Sequence, residues 1–190
     1  MSVWTDAFVG VTDGKISYLS KHAPEEKPDQ IIDATGMVLM PGLINCHTHL
    51  PMQLRRGYAD DLKLQEWLND YIFPREDRLD GRCVRAATTL AVAECLKFGV
   101  TSVSDMYYFC DDICDVIAKS GMKANISRGT SMFLGDDFDF EKFPACQELV
   151  ALKEKWHNYD GGRIKIEASI HAEYTSTYQL WDALSEFCIN

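Results

Sequence analysis

The chain lacks the marks of several large protein classes. It has no Cys-x-x-Cys pair: its seven cysteines stand at 46, 83, 95, 110, 114, 146 and 188, an odd, scattered set that fits reduced thiols better than a disulfide framework. No stretch approaches the roughly 20 apolar residues that cross a bilayer. The N-terminus carries neither the charged nor the apolar region of an export signal, so a cytosolic location is expected. Basic residues are scarce, with 19 Lys and Arg against 29 Asp and Glu and a formal charge of −10. That balance argues against a nucleic-acid surface or an anionic membrane as partner and favours a small molecule. No Gly-x-Gly-x-x-Gly or other phosphate-binding loop occurs.

What is present is ordinary globular composition, 46% hydrophobic over 190 residues, enough for one domain with a small accessory part. Residues 1–40 read as that part. Ala7-Phe-Val-Gly-Val11 and Lys15-Ile-Ser-Tyr-Leu19 flank Asp13-Gly14, a hairpin signal, and a charged stretch from His22 to Gln30 leads on to Pro41-Gly42. Residues 41–190 alternate strand and helix. Strands are expected at Leu43 to Cys46, Val100 to Asp105, Lys123 to Ser127 and Arg163 to His171. Helices are expected at Leu62 to Tyr71, Arg82 to Phe98, Ile113 to Lys119, Glu141 to His157 and Thr177 to Cys188. Four βα units in a row predict an α/β fold, the first half of a TIM-type (β/α)8 barrel.

In such a barrel chemistry sits at strand C-termini. His47, His49, Asp105, Arg128 and His171 all lie there. His47 and His49 are two apart at a strand end, so both imidazoles project to one face and can converge on one ion. A catalytic zinc needs at least three protein ligands, and no third histidine with suitable spacing follows. Cys46 is expected to be buried packing, Asp105 a strand-end carboxylate tying down a neighbouring loop, and His22 and His157 surface residues. Cys110 and Cys114 have helical spacing but no second pair to complete a site.

The run Met40-Pro-Gly-Leu-Ile-Asn-Cys-His47-Thr-His49, continued through Leu50-Pro-Met-Gln-Leu-Arg-Arg-Gly57 to Trp67, resembles the amidohydrolase superfamily. So do Phe73-Pro-Arg-Glu76, Gly99-Val-Thr-Ser102, Asp105-Met-Tyr107, Ser127-Arg-Gly129 and His171-Ala-Glu-Tyr-Thr175. More narrowly they are similar to its methylthioadenosine and S-adenosylhomocysteine deaminase branch, related to guanine deaminases and triazine chlorohydrolases. The resemblance implies a β-sandwich module, begun by residues 1–40, before the barrel. It implies one divalent metal, zinc or alternatively iron, with His47 and His49 as its first two ligands, and hydrolytic removal of an amino group from a nucleoside or related heterocycle.

By the same resemblance Trp67 would pack on the substrate, Glu76 would accept from ribose hydroxyls, Arg128 would face the polar end of a thioether side chain and His171 would donate to a ring nitrogen. Trp67 as core and Glu76 as solvated surface are the plainer readings of those two residues. The proton-shuttling glutamate and later metal ligands of the family have no counterpart before Asn190, so the chain by itself is expected to be inactive. A missing C-terminal half or a homo-oligomer would cover its open face. Alternatives are a non-catalytic, partner-binding half and a guanine deaminase or chlorohydrolase-type enzyme. Glu173 stands where the family often has proline, and the loop Gly135-Asp-Asp-Phe-Asp-Phe140 lacks a second arginine; both argue against binding an amino-acid carboxylate.

Overall fold

The computed structural model describes residues 2–135 and 137–189. The other three, Met1, Asn190 and Asp136 of the segment Gly135 to Phe140, lie outside the described residues. By contact density the chain divides into two compact units, Met1–Met40 and Pro41–Asn190.

The first unit contains β1 (Phe8–Thr12) and β2 (Lys15–Ser20), paired antiparallel. Asp13 and Gly14, with φ of 51° and 72°, form the two-residue turn whose positive φ values match the twist of the flanking strands. Residues 21–40, despite their apolar Ile31, Ile32 and Met37 to Met40, carry no regular strand among the described residues, and those side chains are exposed.

The second unit is built on one parallel sheet whose strands lie in chain order: β3 (Leu43–Thr48), β4 (Val100–Tyr107), β5 (Lys123–Thr130) and β6 (Ile164–Ile170). Between β3 and β4 run a 3-10 turn (Leu50–Arg55), α1 (Leu64–Glu66), a wider π-type segment (Trp67–Ile72), α2 (Phe73–Glu76) and α3 (Gly81–Lys97). The other strands are followed by α4 (Cys110–Ser120), by α5 (Pro144–Trp156) with the one-turn α6 (Tyr159–Gly162), and by α7 (Tyr178–Ile189). Consecutive parallel strands joined by helices are the arrangement of half an eight-stranded barrel.

Local chemistry sets these elements. The Asp80 carboxylate accepts the Cys83 N–H at 2.7 Å and starts α3 as an N-cap. Gly99 and Gly121, both at positive φ, end α3 and α4 as only glycine does cheaply. The first barrel helix does not stop at Tyr71 as its periodicity predicts. It continues to Glu76 because the segment before Pro74 opens to π geometry, with Phe73 N–H bonding the Leu68 carbonyl. The wider turn relieves the clash a proline ring makes with the preceding helical turn.

The core lies between the sheet and its helices. Ile113, Ile117, Ile126, Ile164 and Leu180 are fully buried there, together with Val103 and Leu149. The helix-facing residues of the sheet are in register: Val103 pairs with Ala124 and Asp105 with Ile126, while Ala124 pairs with Ile164. Cys46 departs from expectation, since it is exposed. β3 is an edge of this sheet, and Leu43 and Ile44 beside it are half or more exposed; the strand has too few neighbours here to bury its thiol.

Candidate metal and substrate site

Thr48 pairs with Asp105, whose side chain lies on the buried, helix-facing side of the sheet. The register of β3 against β4 shifts between Asn45 and Thr48, and His49 follows the strand, immediately before the 3-10 turn. His47 and His49 do converge: their ring centroids are 5.3 Å apart in an edge-to-face arrangement. His49 Nδ1 lies 2.5 Å from the Met106 carbonyl oxygen. A carbonyl only accepts, so Nδ1 carries a proton, and in the neutral imidazole Nε2 then keeps its lone pair. This is the second contact that metal-ligating histidines generally make, and it fixes tautomer and ring orientation. The pair therefore fits two positions of a metal's coordination shell. Among the described residues no group of three or more His, Cys, Asp or Glu is placed to hold an ion.

Beside His49 is a cavity of about 140 Å³. Trp67, Glu76 and His171 line it with His49, so the structure brings four of the six residues singled out from the sequence around one space. Trp67 is half-buried and heads the π-type segment, with Leu68, Ile72 and Phe73 adding apolar wall. Glu76 is no solvated surface residue. Its Oε1 accepts from Arg55 Nη1 at 2.9 Å and from the Tyr107 hydroxyl at 2.7 Å. His171 Nδ1 is 2.9 Å from Thr175 Oγ1. Burial, then the neighbouring His49, lower the His171 pKa, which favours a neutral imidazole at neutral pH.

His47 is exposed and outside that lining, although its ring meets His49. Arg128 also lies outside it. Register aligns Arg128 with Tyr107 on β4 and Ala168 on β6. Its guanidinium pairs with Glu148 of α5, donates to the Gly129 carbonyl and stacks 4.7 Å from the Tyr108 ring centre. Glu173 is exposed and does not line the cavity, whereas the next residue, Tyr174, does. Sequence reasoning missed Arg55, Tyr107 and Tyr174. Tyr107 could have been found from its place at the end of β4, two residues after Asp105.

Asp105 ties the site's loop to the sheet by accepting the Leu50 N–H at 2.6 Å. Its other oxygen is buried without a hydrogen-bond partner among the described residues. Burial pushes its carboxyl up to about 7, with the Leu50 bond opposing. In the unfolded chain an aspartate titrates at about 3.9. Between those values the unfolded chain releases a proton that the fold retains, so stability falls as pH rises through the window and levels off above it. Asp105→Asn keeps the Oδ1 acceptor and does not titrate. On chelator-treated protein it is expected to be more stable than wild type at pH 8, with the gap closing near pH 4. Urea midpoints at both pH values check this, and a gap independent of pH would contradict it.

Comparison with known proteins bears on the family and the fold. The model of the amidohydrolase family matches residues 38–189. A 5-methylthioadenosine/S-adenosylhomocysteine deaminase of Dictyoglomus thermophilum is 38% identical over 84% of this chain and 36% of its own length. A 5'-deoxyadenosine deaminase of Methanobrevibacter smithii is 39% identical over 90% of this chain and 38% of its own. Among solved structures, an adenosine deaminase from Xanthomonas campestris with bound zinc superposes with a TM-score of 0.80 at 29% identity, covering 99% of this chain and 43% of that one. The chain thus spans less than half the length of these relatives. No described helix is long and apolar enough to cross a membrane, and all seven cysteines are free thiols.

Proposed function

This chain belongs to the amidohydrolase family, and from that premise we propose that it forms the metal-binding first half of a cytosolic aminohydrolase that converts an adenosine-type nucleoside and water to the corresponding oxo-nucleoside and ammonia. The observation that carries the reading is the His47–His49 pair, with Nε2 of His49 left free by Met106, beside a cavity that Trp67, Glu76 and His171 line. A bound zinc, or alternatively iron, would supply hydroxide at neutral pH by acidifying water. His47 and His49 would hold it.

The other residues bind and orient. The Trp67 indole offers a flat apolar face for a purine. Glu76 accepts from sugar hydroxyls, and the His171 imidazole addresses a ring nitrogen. Arg128 reaches the polar end of a side chain on the sugar only by exchanging its Glu148 partner, which favours substrates with an uncharged end, such as methylthioadenosine or 5'-deoxyadenosine, over S-adenosylhomocysteine. Residues 1–40 would begin a β-sandwich module. The free edges of β3 and β6 would be covered by the rest of a barrel or by a second copy of the chain.

Two histidines alone make a weak site, so the 190 residues by themselves are expected to turn over little. The test is ammonia release, with the matching ultraviolet shift, from a panel of aminopurine nucleosides, guanine and amino-triazines by the metal-loaded protein that carries this chain. Release from adenosine-type nucleosides supports the reading. Release from guanine or triazines alone reassigns the substrate, and no release from any of them overturns it.

A further inference from the structure

The cavity's carboxylate is held by a residue the family reading leaves without a role. Arg55 ends the 3-10 turn that follows His49, and its side chain is only 7% exposed against 11% for Glu76. Its Nη1 donates to Glu76 Oε1 at 2.9 Å and to the Tyr107 hydroxyl oxygen at 3.0 Å, while that hydroxyl donates to the same Oε1 at 2.7 Å. Burial and the Glu76 charge push the Tyr107 phenol well above its ordinary range, so it stays a donor. Both clamps fall on Oε1. Oε2 carries none of the hydrogen bonds found among the described residues, and Arg55 Nη2 is buried without a partner there.

A buried ion pair is weak support for a fold, since apolar side chains of similar volume often do as well. This one lies where the cavity needs a charged acceptor. Resting on the role proposed above for Glu76, we propose that Arg55, assisted by Tyr107, is the positioning residue that holds Glu76 Oε1 and aims its carboxylate, and so sets the preference of the cavity for ligands with sugar hydroxyls. Without the guanidinium, a carboxylate in this apolar wall would lose its counter-charge and its orientation.

The test is calorimetric binding to the metal-loaded protein of an oxo-nucleoside product, inosine, and of its 2',3'-dideoxy counterpart. A hydrogen bond to a charged group favours the hydroxylated ligand by about 10-fold to 100-fold in the wild type. Arg55→Met is expected to reduce that preference to about 3-fold or less through weaker inosine binding, Arg55→Lys to retain most of it, and Glu76→Gln to match Arg55→Met. Tyr107→Phe should lower it at least about 2-fold, and it carries the test should Arg55→Met not fold. A wild type without the preference, a preference untouched in Arg55→Met and Tyr107→Phe, or an equal loss for both ligands overturns the proposal. Turnover measured on the same preparations judges the enzymatic reading separately: deamination without hydroxyl preference leaves that reading standing and removes this one.

Discussion

Replacing His49 by alanine is expected to strip the metal from the protein and to lower deaminase turnover by at least about 10³-fold, equivalent to about 4 kcal/mol of barrier. The expectation follows from where the ring sits. Met106 fixes Nδ1, so Nε2 is available for coordination, and alanine removes both the ligand and its anchor to β4. His47→Ala should also lose metal, since its ring lies against that of His49. The two variants should fold, because neither histidine belongs to the buried core. Metal per chain by plasma mass spectrometry, read beside turnover, checks this. A variant that keeps both its metal and full activity would remove that histidine from the ligand set.

The largest stability effect is expected at Arg163, just before β6. Its Nη1 donates to the carbonyls of Ile117 at 3.2 Å and Met122 at 2.8 Å, its Nη2 to that of Ala118 at 3.0 Å, and its Nε to Asp160 at 2.7 Å. Two of those carbonyls are in the last turn of α4, where the helix has no partners of its own to offer. The guanidinium therefore fastens the end of α4 to the start of β5 and β6, with little of its side chain exposed. The exposed Asp160 pairing adds little. Arg163→Met keeps the apolar stem and removes the donors; it is expected to cost about 3 kcal/mol, read as a lower urea midpoint with unchanged slope. A loss below about 0.5 kcal/mol would mean that water replaces the guanidinium at those carbonyls.

Much of this was legible in the sequence because its signals were local. The Asp13-Gly14 turn, Gly99 after the second barrel helix, and the alternation in Val100 to Asp105 each fix backbone geometry within a few residues. Four strands separated by helices then leave few topologies. The His-x-His spacing points to neighbouring imidazoles, and the two rings meet. The rest depended on contacts between distant segments. Nothing near Arg55 indicates that it pairs with Glu76, 21 residues on and across a π-type segment, and a proline at 74 reads as a stop until the widened turn is seen. Arg128 looked free at a strand end, yet register with Tyr107 places it beside α5, where Glu148 waits. Cys46 was misjudged because its burial depends on how many strands lie beyond β3, which no local pattern reports.

The central claim is that His47 and His49 hold a metal on which an aminohydrolase depends. Its most direct test is to remove metal from the purified protein with a chelator, then follow adenosine-type deamination while zinc is returned in measured increments. The account predicts activity that vanishes with the metal and returns linearly to a plateau at about one ion per chain. Activity that survives complete metal removal would contradict it.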